Sequence, residues 1–194
     1  VAIEANNQDP ANPNVARDWD WYLKQISNAN NIICNIDNIF EKDTSAVKMT
    51  QKEHDEWKSE ALCWRAFNLF RMAQLWGDAP MITVIPPEIT SENIEDVYED
   101  YYPKRTPVDE IYGQVIEDLN YACDNAPDVN ASDKYLFSKA FAHGLRARVY
   151  AEKQRQDWNQ VINDCLAVEG MGFSLVDNYG DLWGYNDDDA VRNT

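Results

Sequence analysis

Two histidines, four cysteines and one run of aspartates are the residues of this chain whose types could do chemistry. His54 stands among charged neighbours, Glu53, Asp55 and Glu56, and is expected in solvent. His143 has small residues near it and is read as packed or exposed rather than catalytic. No serine carries a nucleophile motif, so neither histidine has a triad to join. Nothing in the spacing of the acidic residues selects a general acid-base pair. Asp187, Asp188 and Asp189 offer oxygens of the kind that hold Ca²⁺, yet lack the glycine and closing glutamate of an EF-hand loop. They are read as a solvated acidic tail. Cys34, Cys63, Cys123 and Cys165 have no CxxC spacing, which argues against zinc. They are expected as buried free thiols, with a Cys34–Cys63 bridge left open. The chain is thus expected to hold no catalytic group, metal or cofactor.

Aromatic side chains offer a different chemistry. A sugar ring presents C–H faces that stack on Trp or Tyr, and hydroxyls that need amide, carboxylate or guanidinium partners. Seven Trp and ten Tyr are many for 194 residues, and most must serve the core. The candidates for a binding surface are those that miss the helical seams: Trp21, Tyr98, Tyr101 and Tyr102, with Trp183 and Tyr185 in the tail. Seventeen basic residues against 34 acidic ones give a net charge of -17. That balance argues against nucleic acid or an anionic membrane as partner, since both need clustered Lys and Arg.

Helices must position these residues. Trp19, Tyr22, Ile26, Ala29, Ile33, Ile36 and Phe40 recur at spacings of three and four, so a first helix is expected over 18–41 after an extended lead-in of residues 1–17. The second, opened by Thr44 or Thr50, runs to Trp76. Leu62, Cys63, Ala66, Phe67, Leu69, Phe70, Ala73 and Trp76 cover about half its circumference at roughly 100° per residue. Arg65, Asn68 and Arg71 take the other half, the arginines read as structural, while Trp64 and Phe67 are assigned to stability. Gly77 suits a left-handed cap and Pro80 stops the helix from resuming.

Four prolines break residues 77–105 into an irregular insertion, with Met81–Ile85 expected to be extended. Thr106 is expected to cap the next helix, with Pro107 in its first turn and Asp109 reaching back. That helix ends at Pro127. Another is expected over about 136–154, with a row of small residues at Ala140, Gly144, Ala147 and Ala151. Asp157 and Gln160 open a fifth, which Gly170 closes. The pattern is all-α: antiparallel helix pairs of tetratricopeptide-like kind with an irregular insertion, in one domain over 1–194. A scaffold of this kind binding protein or peptide in its groove is one functional reading.

The wording of these helices resembles the SusD/RagB family. Glu60-Ala61, Arg65-Ala66-Phe67 and Trp76-Gly77-Asp78-Ala79-Pro80 carry the resemblance. So do Tyr22, Ile26 and Asn30, Arg105-Thr106-Pro107 with Glu117-Asp118-Leu119, Leu145 to Tyr150, and Gly172-Phe173-Ser174-Leu175. The resemblance implies a non-catalytic nutrient-binding lipoprotein on the outer surface of Bacteroidetes. Its ligand would be a glycan or peptide, and its partner a SusC-like TonB-dependent transporter. It implies membrane attachment only through an N-terminal lipid anchor absent from this sequence, and hence an incomplete part of a longer protein. The family's ligand residues lie in variable loops, so none is carried over.

Overall fold

The computed structural model describes residues 12–128 and 135–180. Five long helices and one short turn account for its regular structure: α1 (Pro13–Lys42), α2 (Gln51–Trp76), α3 (Tyr98–Tyr101), α4 (Val108–Asn125), α5 (Lys139–Ala151) and α6 (Trp158–Gly170). They follow one another as a row, α1 on α2, α2 on α4, α4 on α5 and α5 on α6. The chain forms the all-α, tetratricopeptide-like arrangement of antiparallel pairs. Among the described residues the one β feature is an isolated antiparallel bridge between Ala79 and Thr106.

The helix ends follow from local chemistry. α1 begins five residues earlier than its seam suggests, because Pro13 occupies the first helical position rather than interrupting one. The Asn12 side chain accepts from the Asn14 N–H at 3.0 Å. Thr50 opens α2 through a full capping box with Glu53, each side chain bonding the other's backbone. Gly77 ends α2 with φ of 70°, the region that favours glycine. Thr106 does not cap α4, contrary to expectation. Its N–H and C=O are both spent on Ala79, at 2.9 and 3.3 Å, which holds it extended. Asp78 caps instead, its carboxylate accepting from the Val108 N–H at 2.9 Å. Ser138 caps α5 and Asp157 caps α6. The positive φ that follows α6 falls at Gly172, while Gly170 is still helical.

The core sits where α2, α4 and α5 meet. Leu69, Phe70, Met72, Ile111, Tyr112, Val115, Leu119, Leu145 and Val149 are buried there, joined by Ile26 from α1. Burial of this apolar surface is the main force holding the row together. Phe67 packs against this cluster only partly buried, and Trp64 is likewise partly exposed. All four cysteines are free, so no Cys34–Cys63 bridge forms. Cys63 and Cys123 are buried as expected, but Cys34 and Cys165 are exposed. Each of those two lies on an outer helix, α1 or α6, at the ends of the row.

Candidate functional site

The candidate surface lies on the insertion between α2 and α4, so what holds that insertion decides what it can present. Its neck is closed by the Ala79–Thr106 bridge. Its first strand of chain is fixed to the helices by buried side chains. Asn30 of α1 donates to the Ile82 carbonyl at 2.8 Å. Arg65 of α2 donates to the Thr83 carbonyl at 3.2 Å and to Asn30 Oδ1 at 2.9 Å. Met81–Ile85, expected to be extended, is non-helical, and its Ile82 and Thr83 carbonyls bond side chains rather than a neighbouring strand. The rest of the Arg65 guanidinium forms a bidentate pair with Asp118 of α4, at 2.7 and 2.6 Å. Burial pushes the Asp118 carboxyl above its ordinary range, and the Arg65 guanidinium opposes that shift.

Further along, Asn93 organises a tight turn. Its side chain accepts from the Thr90 N–H at 2.7 Å and donates to the Glu88 carbonyl at 2.9 Å. Val97 is buried beneath the next turn, and α3 follows. Tyr98 and Tyr102, four apart, stack with ring centroids 4.8 Å apart and planes 26° apart. They are 60% and 68% exposed. Tyr101 is 41% exposed, and its hydroxyl donates to the Pro87 carbonyl at 2.7 Å, which braces the turn. Glu99 and Lys104 pair beside them at 3.0 Å. The arrangement offers an apolar ring face flanked by charged hydrogen-bonding groups.

Trp21 is also half-exposed, but it belongs to another aromatic group. Its ring meets Tyr22 and Trp64 edge-on at 5.1 and 6.4 Å. Among the described residues no ring contact joins it to the tyrosines of the insertion. Trp183, Tyr185 and the Asp187–Asp189 run lie outside the described residues.

The two histidines have structural partners. His54 is 6% exposed rather than solvated. Asp37 of α1 lies 2.8 Å from one ring nitrogen and Asp55 lies 2.8 Å from the other. Its charged sequence neighbours suggested a wet surface, whereas α1 folds over it. His143 of α5 lies 2.7 Å from Asp164 of α6. With Cys123, these two place three potential metal-ligand atoms within 4.8 Å of one another. Arg146, however, donates to both Asp164 oxygens, at 3.0 and 2.6 Å, so the carboxylate already has a cation. Burial also pushes the Cys123 thiol up to about 12, so the group stays a neutral thiol. The cluster is complete as an ion pair between helices. Sequence reasoning quoted Asn30 and Asp118 only as parts of family-like motifs, without their bonding roles, and did not name Asp164. The partners of all three lie far along the chain.

The fold is thus that of a helical-repeat protein carrying a pinned aromatic insertion. The family described as "Starch-binding associating with outer membrane" matches residues 2–151, and the chain belongs to this SusD-like family. A SusD-like protein P25 of Formosa agariphila is 27% identical over 176 residues, 90% of this chain and 30% of that protein. A SusD-like protein of Bacteroides fragilis shares the fold with a TM-score of 0.72 and 22% identity, over 94% of this chain and 33% of its own. A laminarin-binding SusD-like protein aligns at 0.67 and 22%, over 88% of this chain and 34% of that one. The chain therefore spans about a third of the length of the proteins it matches. No helix among the described residues is long and apolar enough to cross a membrane.

Proposed function

We propose that the polypeptide to which this chain belongs binds an oligosaccharide at the outer-membrane surface, without altering it. It then passes the glycan to a SusC-like TonB-dependent transporter, held at the membrane by an N-terminal lipid. Family membership supports the class of ligand, as does a relative that binds laminarin. The observation that carries the reading is the exposed Tyr98–Tyr102 stack on the braced insertion. Such a stack suits the C–H face of a sugar ring, and the neighbouring Glu99 and Lys104 suit its hydroxyls.

Calorimetry against a panel of polysaccharides tests this. One glycan class should bind enthalpically, with a dissociation constant between micromolar and millimolar, about -8 to -4 kcal/mol. The glycan should be recovered intact. Joint replacement Tyr98→Ala and Tyr102→Ala should weaken binding about tenfold or more, roughly 1.4 kcal/mol, with unchanged melting. Undiminished affinity in that double variant would remove the insertion from the site. Cleavage of the glycan would end the non-catalytic reading.

A further inference from the structure

The pairing of α1 with α2 leaves a groove of about 920 Å³ along one side of the two helices. Its walls are two rows of side chains: Ile32, Ile36 and Ile39 on α1, and Trp57, Ala61 and Trp64 on α2. Both rows have the i, i+4, i+7 spacing with which a helix presents a seam to another helix. Ile36 and Ala61 form a buried floor. Ile32, Ile39 and Trp57 rise beside it about half exposed, so joining α1 to α2 leaves much of their apolar surface in water. Contiguous apolar surface of this kind marks a place where something else packs.

The chemistry narrows what that is. The isoleucine row of α1 gives sugar hydroxyls no partner, and a buried hydroxyl without one is costly. Trp57, Trp64, Tyr135 and Phe137 with Asn28, Asn31 and Glu60 also line the groove, so a glycan is the competing occupant that the test must separate. A second copy of the chain would bring another -17 of charge against the first. Two parallel-running seams, each about two turns long, match a third helix laid between them. The proteins this chain matches are about three times its length, since it covers 30% and 33% of them. We propose that the groove is an intramolecular docking face, filled in the longer polypeptide by an amphipathic helix from outside these 194 residues. This rests on membership of the family and not on the glycan reading.

The test places a thiol in the groove with Ile39→Cys and follows maleimide labelling at that position by mass spectrometry. In the 194-residue chain labelling should be fast. In the full-length polypeptide encoded by its gene it should be at least tenfold slower. Equal rates would overturn the proposal, and so would a reading frame that ends with this chain. In a second arm, Ile32→Asp should leave the melting of the 194-residue chain unchanged and lower that of the full-length polypeptide. Two further outcomes would overturn it as well. One is a dimer of the 194-residue chain that Ile32→Asp dissociates, which makes a second copy the occupant. The other is loss of glycan binding in that variant at unchanged melting, which makes the groove a ligand site.

Discussion

Arg65 and Asp118 are both nearly inaccessible, and each is the other's main partner. Deleting one leaves the other charge buried without its counter-ion, a loss of about 3–5 kcal/mol. Asp118→Ala should show that loss in urea denaturation, whereas the joint Arg65→Met and Asp118→Leu variant should recover most of it. A double variant no better than the single one would mean that the pair itself, rather than the orphaned charge, sets the cost. The pair was not legible in the sequence. Arg65 stood out as a structural arginine, but its carboxylate lies 53 residues away. Nothing in local spacing chooses Asp118 from 34 acidic residues. His54 misled for a related reason: charged neighbours along α2 say nothing about what α1 lays over them.

At the scale of elements, α1 and α2 are clasped near their connecting loop by Asp37, His54, Asp55 and Lys58. The Lys58 ammonium beside Asp37 holds its carboxyl below the usual value, with His54 adding to the effect. His54 does the same for Asp55, with help from Gln51 and Tyr121. Both carboxyls therefore titrate lower in the folded state than in the unfolded one. Their contribution is complete above the ordinary value of 3.8 and is lost as pH falls through the folded value. Urea midpoints should drop steeply below about pH 4, in keeping with that linkage. Asp37→Asn should make the drop shallower, and an unchanged acid limb would show that the clasp contributes nothing. The helices themselves were readable, because seams and caps are written within one turn of chain. Their starts were less so: Pro13 looks like a breaker until Asn12 is seen to cap, and Thr106 looks like a cap until Asp78 replaces it.

In the molecule as a whole, the helices form a row, and a row has ends. α2 and α4 are flanked on both sides, while α1 rests on α2 and α6 on α5. Stability in stacked repeats is largely a sum of neighbour terms, so the ends should open first. Amide hydrogen exchange should be slowest in α2 and α4 and fastest in α6. Uniform protection along the row would point instead to one all-or-none unit. The sequence showed the order of the pairs but not which aromatics lie together. Trp21 and the tyrosines of α3 seemed one set of candidates, and the fold puts them in separate aromatic groups.

The bridge between Ala79 and Thr106 has a bearing on how such a protein changes over generations. It brings the two ends of the insertion together at the foot of α4, so the helices experience the same short join whatever the intervening text says. The entropy of closing a flexible loop grows only with the logarithm of its length, about 0.6 kcal/mol for each doubling. Residues between the bridge and its return can therefore be lengthened, shortened or rewritten at small thermodynamic expense, provided Ile82 and Thr83 still offer their carbonyls to Asn30 and Arg65. The helical row can stay constant while the exposed loop is rewritten, so what the loop presents can change without any change in how the helices fold.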